Sequence, residues 1–357
     1  VSDRYLLHPC LNAVATAVPD HDVHAVFEVW ARARLSGREA RVFDRMAARS
    51  GIDHRWSVLP RTPDGGSPIM PGGFYAGDAP GTAARMALYA QAAPALAIAA
   101  IDRLGRPLDG VTHLVVASCT GFVAPGIDQI IARRLGLSPS VERTLIGFMG
   151  CYAAVAALRT ARHIVRSEPA ARVLVVCVEL STLHLQETSS LESMLAMYQF
   201  GDGAAAALVT AEPHGFALRQ PFATTLSDSA DLIRWDITDR GFAMTLSGEV
   251  PARIAAALAD PGTAPLVTGG HDPHAIDGWA VHAGGRSILD AVEHGLGLPA
   301  DALAASRSVL AAYGNMSSAT LMFVLARLLE GPPIRDGVAL AFGPGLAAEG
   351  FAFGSVP

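Results

Sequence analysis

The sequence predicts an α/β fold built from two copies of one unit. Three observations carry that reading: a core-forming composition, a regular alternation of helical and strand patterns, and an internal duplication. With 357 residues, 51% of them hydrophobic, the chain can bury one large core or two closely packed ones. The elements follow in order. The start "VSDRYLLHPCLNAVATAVP" has one arginine ahead of an apolar run, but His8, Pro9 and Asn12 interrupt it where a signal peptide stays apolar, so it reads as a first strand. "PRTPDGGSPIMPGG", residues 60–73, is a proline- and glycine-rich loop. "TAARMALYAQAAPALAIAAIDRLG" then reads as a helix, "VTHLVVAS" as a buried strand and "PGIDQIIARRLGL" as a second helix. "RTLIGFM" is the next strand, and a third helix runs from Cys151 onward. The longest apolar stretch, "APALAIAAI", falls short of the roughly 20 residues a membrane helix requires, which points to a protein without membrane insertion.

The duplication is the most informative feature. "HLVVASCTGF", "IDQIIARRLGL" and "RTLIGFMGCYAAVAALRTAR" run parallel to "GWAVHAGGR", "ILDAVEHGLGL" and "RSVLAAYGNMSSATLMFVLARL". Each copy supplies a buried strand, a polar residue before a small turn, a helix ending in Leu-Gly-Leu and a second strand. A glycine and a reactive residue then open another helix. Cys119 pairs with His282 and Cys151 with Asn315, at spacings of 32 and 33 residues. Two such units packed about a pseudo-two-fold axis bring matching strand ends together, so Cys151, His282 and Asn315 are expected around one cavity.

Composition excludes several functions. Lysine plus arginine total 27 against 33 acids, with the basic residues scattered, so nucleic acid is not an expected partner. The four cysteines, Cys10, Cys119, Cys151 and Cys177, form no CxxC pair. Neither a zinc site nor a disulfide framework is suggested, and a reducing cytoplasm fits. Cys10 and Cys177 read as small buried hydrophobes. Cys151 differs, because a helix start offers unpaired N–H groups and about half a positive charge. Beside a histidine, a thiol so placed can have its pKa lowered from about 8.5 to roughly 3.5–7.5.

These motifs resemble those of the type III polyketide synthases, the chalcone-synthase-like enzymes of the thiolase superfamily. "GFMGCYAA" is similar to the family's nucleophile motif, "VHAGGRSILDAVE" to its histidine motif and "YGNMSSA" to its asparagine motif. "FGDGAAA" matches the signature after the nucleophile helix, and "FGPGL" the C-terminal glycine loop. The resemblance covers nearly the whole chain. It implies a five-layered αβαβα fold, with an N-terminal half over residues 1–212 and a C-terminal half over 213–357. It also implies a homodimer, no metal or organic cofactor, and coenzyme A thioesters as substrates.

The resemblance further implies residue roles. Cys151 takes the acyl group of a coenzyme A starter, His282 maintains its thiolate, and His282 with Asn315 stabilises the enolate of decarboxylating malonyl-CoA. Phe200 corresponds to a gate phenylalanine. Met244 stands where a second gate phenylalanine is found in plants, and Cys119 at a plant threonine position, a change common in bacterial members. His184 falls near a cavity-lining site, Ser317 and Gly343 lie in the asparagine motif and the glycine loop, and Arg45 and Arg49 match positions that hold coenzyme A phosphates. The departures argue against plant chalcone chemistry. A fatty starter and an alkylpyrone, resorcinol or related aromatic product are expected instead.

Plainer readings compete at several positions. Cys119 fits a cavity wall or a core, His184 a pocket or a satisfied core ring, and Asn315 a helix cap. Arg45 and Arg49, four apart on an expected helix, also fit a solvated face. Asp202, between glycines, reads as a turn-stabilising carboxylate. Three other functions remain open at this level. A carrier-protein-dependent ketoacyl synthase shares the trio but shows "GNTSAAS" in place of "GNMSSAT". A papain-like protease lacks its "CGSCW" pattern here. A non-enzymatic acyl-CoA-binding protein would not need all three motif residues.

Overall fold

The computed structural model describes residues 8–77 and 79–356. The first half contains β1 (Cys10–Ala17), β2 (His21–Asp22), α1 (His24–Arg32), α2 (Gly37–Ala47), β3 (Trp56–Ser57) and α3 (Thr82–Asp102). It continues through β4 (His113–Ser118), α4 (Ile127–Arg134), β5 (Glu142–Gly147), α5 (Ala153–Ser167), β6 (Val173–Leu180), α6 (Leu191–Met197) and β7 (Asp202–Thr210). The second half contains β8 (Gly215–Thr225), β9 (Ile233–Thr238), β10 (Gly241–Leu246), α7 (Val250–Ala259) and α8 (Ala264–Thr268). After these come β11 (Gly278–Val281), α9 (Arg286–Leu296), α10 (Ala304–Tyr313), α11 (Ser318–Leu329), β12 (Gly337–Gly343) and β13 (Ala347–Val356).

The main sheet runs β11-β12-β13-β8-β1-β7-β6-β4-β5. Its middle is weak: β1 and β8 pair only through Cys10 with Ala217 and Leu11 with Phe216. On one side, β1–β7 and β7–β6 are antiparallel and β6–β4 is parallel. On the other, β8–β13 and β13–β12 are antiparallel and β12–β11 is parallel. The second half therefore repeats four strands of the first in the same order and relative directions, as the sequence duplication predicts.

Strand alternation sorts the core into layers. Val173, Val175 and Cys177 of β6 share one cluster with Ala280, Ala339 and Ala341 from the other half and with the buried faces of α5 and α11. Leu174, Val176 and Val178 point the other way, onto α3 and α4. Val281, Val338 and Leu340 do the same toward α7 and α9. The order is thus helices, sheet, a central helix pair, sheet, helices. The alanine run Ala153–Ala157 lets α5 lie fully buried between the sheets.

Three expectations need correction. The second copy has no strand matching β5: residues 304–313 form α10, since "AASRSVLAAY" is rich in helix formers and has one β-branched residue. The third helix opens at Ala153, two residues after Cys151. The apolar stretch lies in α3, a helix of 21 residues that is long and apolar enough to cross a membrane. Here its Tyr89, Ala93, Ala97 and Ala100 pack on the sheet as core. Both Leu-Gly-Leu motifs do end their helices, with Gly136 and Gly297 at φ 65° and 64°, the left-handed conformation glycine adopts without a Cβ penalty.

Candidate active site

Cys151 sits in the turn between β5 and α5, immediately before the N-cap residue Tyr152. Gly150 takes φ 78° in this turn, and a Cβ there would meet the Pro344 ring at 2.3 Å. The glycine loop closes from the other side. A Cβ on Gly343 would stand 2.6 Å from the Tyr152 ring and 3.3 Å from the Cys151 nitrogen, so a glycine is what permits this approach. The Cys151 sulfur lies 3.7 Å from Ser317 Oγ. Burial pushes its thiol up to about 11, opposed by smaller contributions from Ser317 and Asn315. The lowered pKa expected from the helix start is therefore not found, because loss of water outweighs the helix end.

His282 follows the last residue of β11, and its backbone nitrogen donates to the Leu340 carbonyl at 2.8 Å. The side chain is 2% exposed. Neither ring nitrogen has a hydrogen-bond partner among the described residues. Burial alone pushes this imidazole down to about 3, so it is neutral at physiological pH.

Asn315 occupies the turn from α10 to α11, where Gly314 adopts φ 67°. Its backbone is fixed on both sides, donating to Gln199 O at 2.8 Å and accepting from Gly201 N at 3.0 Å. Its Oδ1 accepts from Ser317 N at 2.8 Å, and its Nδ2 donates to the Gly284 carbonyl at 3.1 Å. A Cβ on Gly284 would lie 3.3 Å from the His282 ring. Asn315 thus joins the two remaining residues, Cys151 through the Ser317 turn and His282 through the glycine turn.

Cys119 follows β4 as His282 follows β11, which is the pairing the duplication predicts. Its thiol donates to Glu179 Oε1 at 3.0 Å and lies 3.1 Å from Ser317 Oγ. Glu179 was not identified from sequence. It is fully buried in β6 and also accepts from Thr120 Oγ1 at 2.8 Å and from the Ser318 hydroxyl. Burial raises its pKa. The available signal was a single carboxylate in the otherwise apolar strand "VLVVCVEL". Asp202 is equally buried and accepts from Val58 N, Thr182 N and Thr182 Oγ1 at 2.9, 2.8 and 2.6 Å, which pins loops to β7.

Two cavities flank this centre. One, of about 110 Å³, is lined by Phe200, Met244 and His184, all singled out from sequence, along with apolar side chains such as Phe27 and Leu59. Cys151 and His282 are not among its lining residues. His184 is held as a core ring: it stacks on Phe242 at 4.1 Å, its Nδ1 accepts from Phe242 N, and its Nε2 donates to Thr120 O at 2.7 Å. The second cavity, about 420 Å³, is lined by Met46, Arg49, Tyr198, Gln199, Gly285 and Arg286 among others, and ends beside the glycine turn after His282. Arg49 reaches the cavity from beyond the helix, because α2 stops at Ala47. Arg45 lies on α2, exposed and outside the cavity lining. The expected pair on one helix face is thus split by the helix end.

Comparison with known proteins agrees with this architecture. The family description "Chalcone and stilbene synthases, N-terminal domain" matches residues 8–213, and "Chalcone and stilbene synthases, C-terminal domain" matches residues 217–357. Among curated proteins, the chain is 37% identical over 287 residues to "Alpha-pyrone synthesis polyketide synthase-like Pks18" of Mycobacterium tuberculosis, covering 75% of this chain and 72% of that protein. Among solved structures, PKS-I from the brown alga Ectocarpus siliculosus superposes with a TM-score of 0.88 at 31% identity, over 99% of this chain and 100% of that one. The C-terminal type III polyketide synthase domain of Steely1 from Dictyostelium gives 0.84 at 25% identity, over 98% and 100%.

Proposed function

The chain belongs to the chalcone and stilbene synthase family, and from that premise we propose that it is a type III polyketide synthase. It extends an acyl-CoA starter with malonyl-CoA by iterative decarboxylative condensation and cyclises the product to an alkylpyrone, resorcinol or related aromatic. The observation that carries this reading is the His282 imidazole, buried with neither nitrogen hydrogen-bonded among the described residues, beside the turns that hold Asn315 and Cys151. Buried polar atoms left unpaired cost free energy, and a substrate carbonyl or a neighbouring thiol would satisfy them.

In the proposed cycle the neutral imidazole takes the Cys151 proton as the sulfur attacks the starter thioester, and coenzyme A leaves as its thiol. Malonyl-CoA then loses carbon dioxide. The negative charge falls on its thioester oxygen, where His282 and the free N–H of Asn315 donate hydrogen bonds. The enolate carbon attacks the Cys151 thioester, releasing the sulfur and a chain two carbons longer. The apolar cavity behind Phe200 and Met244 receives the far end of the acyl chain, a flexible thioether at Met244 making its opening more adaptable for a fatty starter. Arg49, on the second cavity, and Arg45, on α2 outside its lining, hold coenzyme A phosphates. Ser317 and Gly343 shape the wall around the sulfur.

We further propose a cytoplasmic homodimer, divided internally into halves over residues 1–212 and 213–357, with no organic cofactor or metal. β5 ends the sheet with one side unpaired, and Leu145 on it and Phe122 nearby are 47% and 46% exposed, a surface that a second copy would cover. The decisive experiment incubates wild type and Cys151→Ala with an acyl-CoA panel and malonyl-CoA, followed by intact-protein and product mass spectrometry. The variant should carry no acyl group and make no extended product, while still decarboxylating malonyl-CoA slowly. Full-length product from the variant would overturn the thioester role, and acceptance of short aromatic starters alone would overturn the fatty-starter reading.

A further inference from the structure

The cavity behind Phe200 is lined by a buried cation that forms no ion pair with a carboxylate among the described residues. Arg55 is 2% exposed and lines this cavity. Its Nε donates to His24 Nδ1 at 2.9 Å, and its Nη1 donates to the Met197 and Phe200 carbonyls, each at 3.0 Å. Its guanidinium carbon lies 4.6 Å from the Phe27 ring centroid. Nη2 has no partner, and among the described residues no carboxylate stands within ion-pair distance of the group. Burial lowers its pKa to about 10, so it stays charged at neutral pH.

Two further orphans line the same cavity. Ser67 Oγ, from the proline- and glycine-rich loop, and Ser181 Oγ, just after β6, are both buried without a hydrogen-bond partner among the described residues. The rest of the wall is dominated by Val23, Phe27, Leu59, Ile69 and Met197. A guanidinium nitrogen and two hydroxyls in an otherwise apolar chamber make a donor set for oxygen at the end of a hydrocarbon path. An alkyl end would leave all three donors dry. A hydroxyl end would satisfy hydrogen bonds but leave the guanidinium with only the longer-range fields of Asp22, Asp202 and Glu28 and no contact ion pair. A carboxylate answers both. The volume of about 110 Å³ has room for roughly four or five non-hydrogen atoms, judged against a cavity of about 150 Å³ that accommodates benzene.

We propose that this cavity receives the far end of an acyl starter that terminates in a carboxylate, which pairs with Arg55 and accepts hydrogen bonds from Ser67 and Ser181. The inference rests on the proposed condensation and narrows its starter class to ω-carboxyacyl thioesters.

The test has two arms. In the first, acyl-CoA starters of equal chain length ending in methyl, hydroxyl or carboxylate compete for extension by malonyl-CoA. The carboxylate-ended starter should be preferred over the methyl-ended one at least tenfold in kcat/KM, and Ser67→Ala with Ser181→Ala should cut that ratio to below threefold. Equal or greater use of the methyl-ended starter would overturn the inference while leaving the condensation reading intact, whereas no product from any starter would remove that reading instead. The second arm needs no turnover and no change at Arg55, which also supports two backbone carbonyls. Butanoate should raise the melting temperature of the wild-type protein more than 1-butanol does, and the double serine variant should lose the difference. An equal response to the acid and the alcohol would overturn the proposed pairing.

Discussion

The Ser317 hydroxyl lies 3.7 Å from the Cys151 sulfur, on a turn whose own residue takes φ 47°. A non-glycine residue in that region of backbone space is uncommon and is held there by its surroundings, in this case by the Asn315 Oδ1 bond to Ser317 N. The hydroxyl that faces the sulfur is thereby positioned by the asparagine turn.

Because burial pushes the Cys151 thiol up to about 11, its ionisation should govern its reactivity across the accessible pH range. Alkylation of Cys151 by iodoacetamide in the free enzyme should therefore accelerate about tenfold per pH unit between roughly pH 6 and 10, followed by peptide mass spectrometry. A rate already level at pH 7 would mean that thiolate and imidazolium are preformed, contrary to a neutral pair.

Asn315→Ala removes a donor from the proposed enolate site and also the acceptor that holds Ser317 N. Loss of one such donor typically costs about 3 kcal/mol of transition-state stabilisation, so kcat for condensation should fall about 100-fold or more. Malonyl-CoA decarboxylation should fall with it, while acylation of Cys151 by a starter should persist. Unchanged decarboxylation, measured as released carbon dioxide, would remove Asn315 from the enolate step.

His184 provides a test of the buried polar framework. Its folded pKa is pushed down to about 3 by burial, against an ordinary 6.5. As pH falls through 6.5 the unfolded ring takes a proton and the folded ring does not, so this residue removes stability toward acid, by about 1.4 kcal/mol per pH unit. The stability advantage of wild type over His184→Gln in urea unfolding should shrink by about 2 kcal/mol from pH 7 to pH 5. A constant difference would mean that the ring is protonated in the fold.

What the sequence makes legible follows from local pattern. β4 is an apolar stretch between His113 and Ser118, α5 opens with a run of small residues after glycine, and the Leu-Gly-Leu motifs stop α4 and α9 with a glycine that can turn left-handed. The positions of Cys151, His282 and Asn315 at element ends follow from the duplication. Other features depend on contacts between segments far apart in the chain. α10 replaces a strand because helix-forming residues prevail where the second copy was expected to repeat the first. Glu179 matters only because Cys119, Thr120 and Ser318 converge on it from two other parts of the chain. The direction of the thiol shift depends on how much water the site excludes, which no local stretch encodes.

The placement of α5 and α11 bears on any attempt to cut this polypeptide near residue 213. The pair fills the space between the two sheets: α5 from the first half shares its cluster with Ala339 and Phe351, and α11 from the second shares it with Val173 and Val209. A fragment ending at that boundary would carry a helix with one greasy flank left bare, inviting aggregation rather than autonomous folding. Splitting the gene should therefore yield soluble material only when both pieces are produced together, each acting as the missing lining of the other.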